Sequence, residues 1–214
     1  MKAFNEDRRE VDMKIVFATG NANKMVEVKA ILGDMTDDIK SMKEAGIDID
    51  IVEDGSTFEE NALIKANAIS KLLPGTVVLA DDSGLEVDYL DKAPGIYSAR
   101  WQGEDTPYSV KNKLLIEKLE GVEGEDRSAR FVCAIAAAIT DDKGETKNAV
   151  VRGNFEGQIA KEIVGENGFG YDPIFYVPEY NCTSAEMTME QKNSMSHRGK
   201  ALRLMKDKLA EGIL

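Results

Sequence analysis

Apolar positions recur along this chain with two periods, and the switches between them predict its elements. Residues 14–18 (KIVFA) form a short continuous apolar run, as a buried strand does. A small polar loop, 19–24, leads into a stretch where Met25, Val28 and Ile31/Leu32 recur at helical spacing and stop at Gly33. Residues 47–52 (IDIDIV) alternate strictly, which predicts a strand with one wet face. A second helix then carries Ala62, Ala66, Ile69 and Leu73 on one side. Pro74-Gly75 turns the chain into 76–80 (TVVLA), a β-branched buried strand. Asp81 and Asp82 follow, then a Ser83-Gly84 turn and the alternating strand 85–89 (LEVDY). Thr106-Pro107 predicts the start of a helix through Leu119, with Val110, Leu114, Leu115 and Leu119 as its buried stripe. Residues 130–140 read as a long central strand, and 148–153 and 155–160 as the next strands of an antiparallel meander. Thr188 to Met195 predicts a short helix, and Ser196 caps a last one with Arg198, Leu202, Met205 and Leu209 on one face. Alternating strands and helices with a late meander predict an α/β fold built on a mixed sheet.

Composition narrows the function classes. The chain has 214 residues, enough for one large domain or two small lobes, so 13–214 is taken as one domain preceded by an extension, 1–12. That extension is charged and lacks an apolar core, and no apolar run is long enough to span a bilayer. Two cysteines, neither in a CxxC pair, predict a reducing, cytoplasmic setting. The net charge of −12 disfavours nucleic acid and anionic membranes as partners, while leaving small phosphorylated ligands open. With one histidine, His197, neither a His dyad nor a multi-His zinc site can form.

Several stretches carry candidate chemistry. The strand–loop–helix over Thr19, Gly20, Asn21, Ala22, Asn23 and Lys24 offers backbone N–H groups to an anion, though a generic strand-to-helix turn also favours these residues. It is not a P-loop, because no second glycine precedes Lys24 and Met25 stands where a metal-binding hydroxyl would be. Thr57 and Glu60 fit a capping box, which accounts for Glu60; Glu53 is either a solvated strand end or a ligand beside Asp82. The adjacent Asp81 and Asp82 are either an ordinary turn or a functional pair. Phe169 and Tyr171, set among three glycines in 165–175, offer flat stacking surfaces. Lys192, His197 and Arg198 can hold anionic oxygens.

Six stretches together resemble the inosine/xanthosine triphosphate pyrophosphatase family: TGNANK (19–24), VEDGSTFEENA (52–62), LADDSGLEVD (79–88), APGIYSARW (93–101), GENGFGYDPIF (165–175) and AEMTMEQKNSMSHRGKAL (185–202). They occur in the family's order across nearly all of 14–204. Lys92 and Val164 depart from the usual pattern at positions with no assigned chemistry. The resemblance implies a long mixed β-sheet flanked by helices, two lobes with a nucleotide cleft between them, and a homodimer. It implies hydrolysis of ITP, dITP and XTP to monophosphate and pyrophosphate with Mg2+. By motif, Asp82 is the general base and, with Glu53, the metal site. Thr19 to Lys24 contact the triphosphate and Ser83 touches the substrate. Phe169, Gly170, Tyr171 and Asp172 clamp base and sugar, and Lys192, His197 and Arg198 reach phosphate or the purine 6-oxo group. A pyrophosphatase for modified pyrimidine nucleotides and a non-catalytic nucleotide-binding module are the alternatives. A haloacid-dehalogenase phosphatase is disfavoured, because Asp81-Asp82-Ser83 lacks the spacing for an aspartyl nucleophile.

Overall fold

In the computed structural model, which describes residues 13–212 and Leu214, the first unit is β1 (Ile15–Phe17), α1 (Ala22–Leu32) and β2 (Ile39–Ser41). The extension expected over 1–12 lies outside the described residues. Then come α2 (Phe58–Ser70) and β3 (Val77–Val87), and, after two short 3₁₀ turns, α3 (Tyr108–Lys118). β4 (Ser128–Thr140) and β5 (Thr146–Ile159) form a long hairpin. β6 (Phe175–Val177), β7 (Cys182–Thr183), α4 (Met189–Met195) and α5 (His197–Ala210) complete the chain. The seven strands form one sheet in the order β2-β1-β3-β4-β5-β6-β7. β1 pairs in parallel with β2 and β3, and every later pair is antiparallel, so the sheet is mixed, as expected.

β3, β4 and β5 are long enough to serve two lobes. In one lobe both faces of the sheet are covered, by α1 and α5 on one side and α2 on the other. A separate apolar cluster, containing Leu85, Leu115, Phe131, Phe155 and Phe175, fills the second lobe. Along β4 the side chains obey the strand period. Cys133, Ile135 and Ala137 enter the α5 side, while Val132, Ala134, Ala136 and Ala138 enter the α2 side. Burial on both faces explains why the strand reads as a continuous apolar run, and it is fourth of seven.

Four expectations are corrected. Residues 47–52 form no strand, because the position beside β1 is taken by Ile39–Ser41; Ile47 and Ile51 still pack on the α2 side. Ser83-Gly84 is not a turn but the middle of β3. Gly84 is needed there for space, since a Cβ would lie 2.5 Å from both Gly95 O and Ser98 Oγ. The two strands expected at 148–153 and 155–160 are one, β5, whose Gly153 marks a close approach by α5. In α3, Val110 is exposed, and the buried face instead holds Lys111 and Asn112, which donate to Ala99 O (2.5 Å) and Gly170 O (3.1 Å).

Gly153 seats the helix that carries His197 and Arg198. A methyl there would collide with His197 O and lie 2.7 Å from Ala201 N, both of them backbone atoms that cannot rotate away. Gly153→Ala is expected to cost about 2 kcal/mol of unfolding free energy through overpacking, read as a lower urea midpoint at unchanged m-value.

Candidate active site

The site grows from a mismatch in strand length. β1 ends at Phe17, level with Leu79, and Ala18 N still donates to Leu79 O (2.7 Å). β3 runs on for eight residues without that neighbour. Along the vacated edge Ser83 N–H is taken by the Asp82 carboxylate (3.0 Å), Leu85 N–H by Ser98 Oγ (2.8 Å) and Val87 N–H by Ala93 O (3.3 Å). The loop 19–24 leaves the sheet beside Asp81 and Asp82. Because strand side chains alternate, these two adjacent carboxylates enter opposite faces of the sheet.

On the α1/α5 face Asp81 is 2% exposed and bound by cations from both helices. Lys24 Nζ donates to both its oxygens (2.9 and 2.8 Å), Arg198 Nε approaches Oδ2 at 3.4 Å and Ser83 Oγ donates to Oδ2 at 3.2 Å. Arg198 also donates to Glu27 (2.9 Å). Burial works to raise the Asp81 pKa, but Lys24 and Arg198 outweigh it and hold the carboxyl well below the usual range. Lys24 sits in the first turn of α1, where a cation opposes the helix dipole, and Asp81 is the anion that compensates it. Thr19 Oγ1 accepts from Asn21 N (3.0 Å), which shapes the loop; Gly20 and Ala22 are exposed, and the Asn23 side chain lies outside the described residues.

On the α2 face Asp82 accepts from Asn61 Nδ2 (3.0 Å) as well as from Ser83 N. Burial raises its pKa and the neighbouring Glu53 adds to that, against the pull of Lys65 and Asn61. A carboxylate more basic than usual suits proton abstraction. Glu53 pairs with Lys65 (3.0 Å), whose ammonium also acts electrostatically on Asp82. Among the described residues no cluster of three or more His, Cys, Asp or Glu suits a metal. A hard cation here would draw on Glu53 and Asp82 and keep waters or ligand oxygens for the rest, which is how magnesium is commonly bound. Glu60 turns away: its carboxylate accepts from Ser56 N (2.7 Å) and Oγ (2.8 Å), while Thr57 Oγ1 accepts from Glu60 N (3.1 Å). Thr57 therefore caps the helix as expected, while the return bond from the Glu60 carboxylate goes to Ser56 N.

The glycine-rich loop is held by one buried acid. Asp172, 3% exposed, accepts from Phe169 N (2.8 Å), Ser184 Oγ (2.7 Å) and Lys192 Nζ (2.5 Å). It thereby presents Phe169, 63% exposed, with Lys192 Nζ over its ring at 5.6 Å. Gly170 takes φ +69° beside Tyr108. Tyr171 does not offer a stacking face, which corrects that expectation. It is 3% exposed, packs edge-on against Tyr108 at 5.3 Å and donates to Ser98 O (2.9 Å). His197 is corrected as well. Burial, reinforced by Arg198 and Lys192, pulls its pKa down to about 3, so it is a neutral ring and not a cation. Its ring stacks on Phe131 at 5.2 Å, and Nδ1 is buried without a hydrogen-bond partner. The strand edge thus gathers Lys24, Ser83 and Arg198 around Asp81, and Glu53 beside Asp82. His197 lies within electrostatic reach of both Arg198 and Lys192, which links the glycine-rich loop to this group. Cys133 lies beneath it, but burial pushes its thiol up to about 12, which leaves it inert as a nucleophile.

Comparison with known proteins gives this geometry a family. The Ham1 family model matches residues 15–208. The chain belongs to the Ham1 family. A dITP/XTP pyrophosphatase of Clostridium perfringens is 52% identical over 206 residues, covering 94% of this chain and 98% of that protein. The Bacillus subtilis dITP/XTP pyrophosphatase is 45% identical over 188 residues, 88% of this chain and 92% of its own. Among solved structures, a HAM1 protein from Coxiella burnetii superposes with a TM-score of 0.83 at 40% identity, covering 93% of this chain and 99% of that one. The Ham1 protein of Staphylococcus aureus gives 0.82 at 43% identity with the same coverage.

Two residues of this Ham1 site escaped the sequence reading, Asn61 and Lys65. The signal was available: α2 buries Phe58, Ala62, Ala66 and Ile69, and both polar residues border that stripe at helical spacing. Among the described residues no helix is long and apolar enough to cross a membrane.

The two electrostatic environments make opposite demands. Lys24→Ala strands the Asp81 carboxylate in the core and is expected to cost about 3 kcal/mol in urea unfolding at pH 7. Asp81→Asn should cost less, because Lys24 is 23% exposed and can turn to water while Arg198 keeps Glu27. His197 is neutral when folded and protonates near 6.5 when unfolded, so the unfolded state binds the extra proton. Stability is expected to fall as pH drops from about 6.5 toward the folded value of about 3. His197→Gln should flatten that part of a pH series of denaturation midpoints.

Proposed function

We propose that this chain hydrolyses the α–β anhydride of non-standard purine nucleoside triphosphates (ITP, dITP and XTP), releasing the monophosphate and pyrophosphate with magnesium. The observation that carries the reading is the division of labour in β3. Asp82 is a half-buried, proton-hungry carboxylate beside Glu53, and one residue away Asp81 gathers the cations an anionic substrate needs. Relatives named dITP/XTP pyrophosphatase at 42–52% identity support the reaction class.

Asp82 takes the proton of an attacking water, its orientation set by Asn61 and by Ser83 N–H. Glu53 and Asp82 would hold the metal, which would supply charge neutralisation for the triphosphate. Lys24, at the mouth of the 19–24 loop, exchanges Asp81 for phosphate oxygens, and the start of α1 behind that loop favours an anion. Phe169 offers its face to the base. Arg198 and His197, the latter as the Nδ1–H tautomer with that nitrogen buried and unpartnered, are the donors we assign to the purine 6-oxo group. A 6-amino group would meet a donor with a donor, which selects against ATP. The assembly we expect is a homodimer.

Purified protein with magnesium should convert ITP to IMP and pyrophosphate at least about a hundredfold faster, in kcat/KM, than it converts ATP. Release of orthophosphate alone, or equal use of ATP, would overturn this. Preference for a methylated pyrimidine nucleotide would move the substrate class. Asp82→Asn should bind ITP yet lose turnover by about three orders of magnitude; equal binding without turnover by wild type would mark a binding module.

A further inference from the structure

Asn61 joins the two acidic segments of the site through one side chain. It is 1% exposed, and both ends of its amide are engaged: Oδ1 accepts from Gly55 N (2.9 Å) and Nδ2 donates to Asp82 Oδ2 (3.0 Å). The amide can satisfy these partners in only one orientation, because a backbone N–H must meet oxygen and a carboxylate must meet N–H. Gly55 packs directly on it, since a Cβ there would lie 2.7 Å from Asn61 Oδ1 and 2.8 Å from Glu60 Cβ. Residues 47–57 form neither strand nor helix, so no ladder fixes Glu53 relative to Asp82. The Lys65 pair and the Asn61 bridge hold that span. The other Asp82 oxygen is occupied by Ser83 N (3.0 Å), which leaves the carboxylate one rotation.

We infer that Asn61 is a positioning residue for the reaction: it sets the rotation of the Asp82 carboxylate and its spacing from the Glu53 segment. It touches neither substrate nor the reacting atoms; it acts through Asp82. The inference rests on the catalytic reading of Asp82 given above. It explains why α2 buries an amide beside Phe58, Ala62 and Ala66, where a leucine would pack without hydrogen-bond demands.

Asn61→Asp separates positioning from support. The substituted side chain keeps an oxygen for Gly55 N–H but turns an oxygen rather than an N–H toward Asp82. Expected for Asn61→Asp is a kcat on ITP about a hundredfold below wild type, with the pH–kcat profile moved to higher pH because a second carboxylate beside Asp82 raises its pKa; the melting temperature also falls at pH 7, since the new charge is buried. Calorimetric affinity for a non-hydrolysable α,β-methylene analogue of ITP, without metal, should stay within about threefold. Asn61→Ala, which breaks both bonds, should lose the same kcat and also melt earlier. The inference is overturned if Asn61→Asp keeps kcat within about threefold of wild type. It is also overturned if turnover and analogue affinity fall together while the pH–kcat profile keeps its shape, since Asn61 would then only support the fold. Asp82→Asn run alongside separates the two levels. If it is inactive while Asn61→Asp is fully active, only the Asn61 inference fails. If Asp82→Asn retains turnover, the catalytic reading fails and takes this inference with it.

Discussion

Two carboxylates on consecutive residues of one continuous strand are the constraint around which this molecule is arranged. A strand sends neighbours to opposite faces, so Asp81 and Asp82 draw on different helices, although Ser83 bonds both, through Oγ to Asp81 and N–H to Asp82. On one face α1 and α5 bring Lys24 and Arg198 to Asp81. On the other α2 brings Asn61 to Asp82 and Lys65 to the nearby Glu53. The result is two acids with opposite tendencies a single peptide apart, one held ionised by cations and the other made more basic by burial.

This arrangement couples parts of the chain that are far apart in sequence. Lys24 and Arg198 both bond Asp81, yet the three come from well-separated parts of the described residues. The docking of α5 depends on Gly153 of β5, so the geometry around Asp81 depends on a strand that carries no chemistry of its own. In the second lobe Asp172 plays a similar organising part. It ties the glycine-rich loop to Ser184 and to Lys192 of α4, and so brings Phe169 and a lysine to the same place. β3, β4 and β5 run through both lobes, which makes the sheet the rigid frame between these two centres.

Much of this was legible in the chain. Continuous apolar runs and helical spacings located β1, β4, α1, α2 and α5, and Ser196 was a recognisable cap. The readings that failed share a cause, which is that local signals were explained by long-range contacts. Ser83-Gly84 has turn composition, but Gly84 is small because Gly95, Ser98 and Phe58 press on it. Residues 47–52 alternate like a strand but find no free edge. Tyr171 has the appearance of a binding aromatic, and Ser98 and Tyr108 claim it for the core. His197 counts as a cation by residue type, and burial beside Arg198 removes its charge.

The sequence by itself determined which residue types were available and in what order: the acid pair, the loop lysine, the glycine-rich aromatic loop and the basic start of the last helix. Periodicity also determined that Asp81 and Asp82 must part company if they lie in a strand. Only the tertiary structure decided that they do, and which partners wait on each side. Protonation and orientation depend on burial and on charges brought from other elements, and neither is written at a residue's own position. For the same reason Asn61 reads in sequence as an ordinary helix residue, and becomes a link between Gly55 and Asp82 only when α2 packs on the sheet.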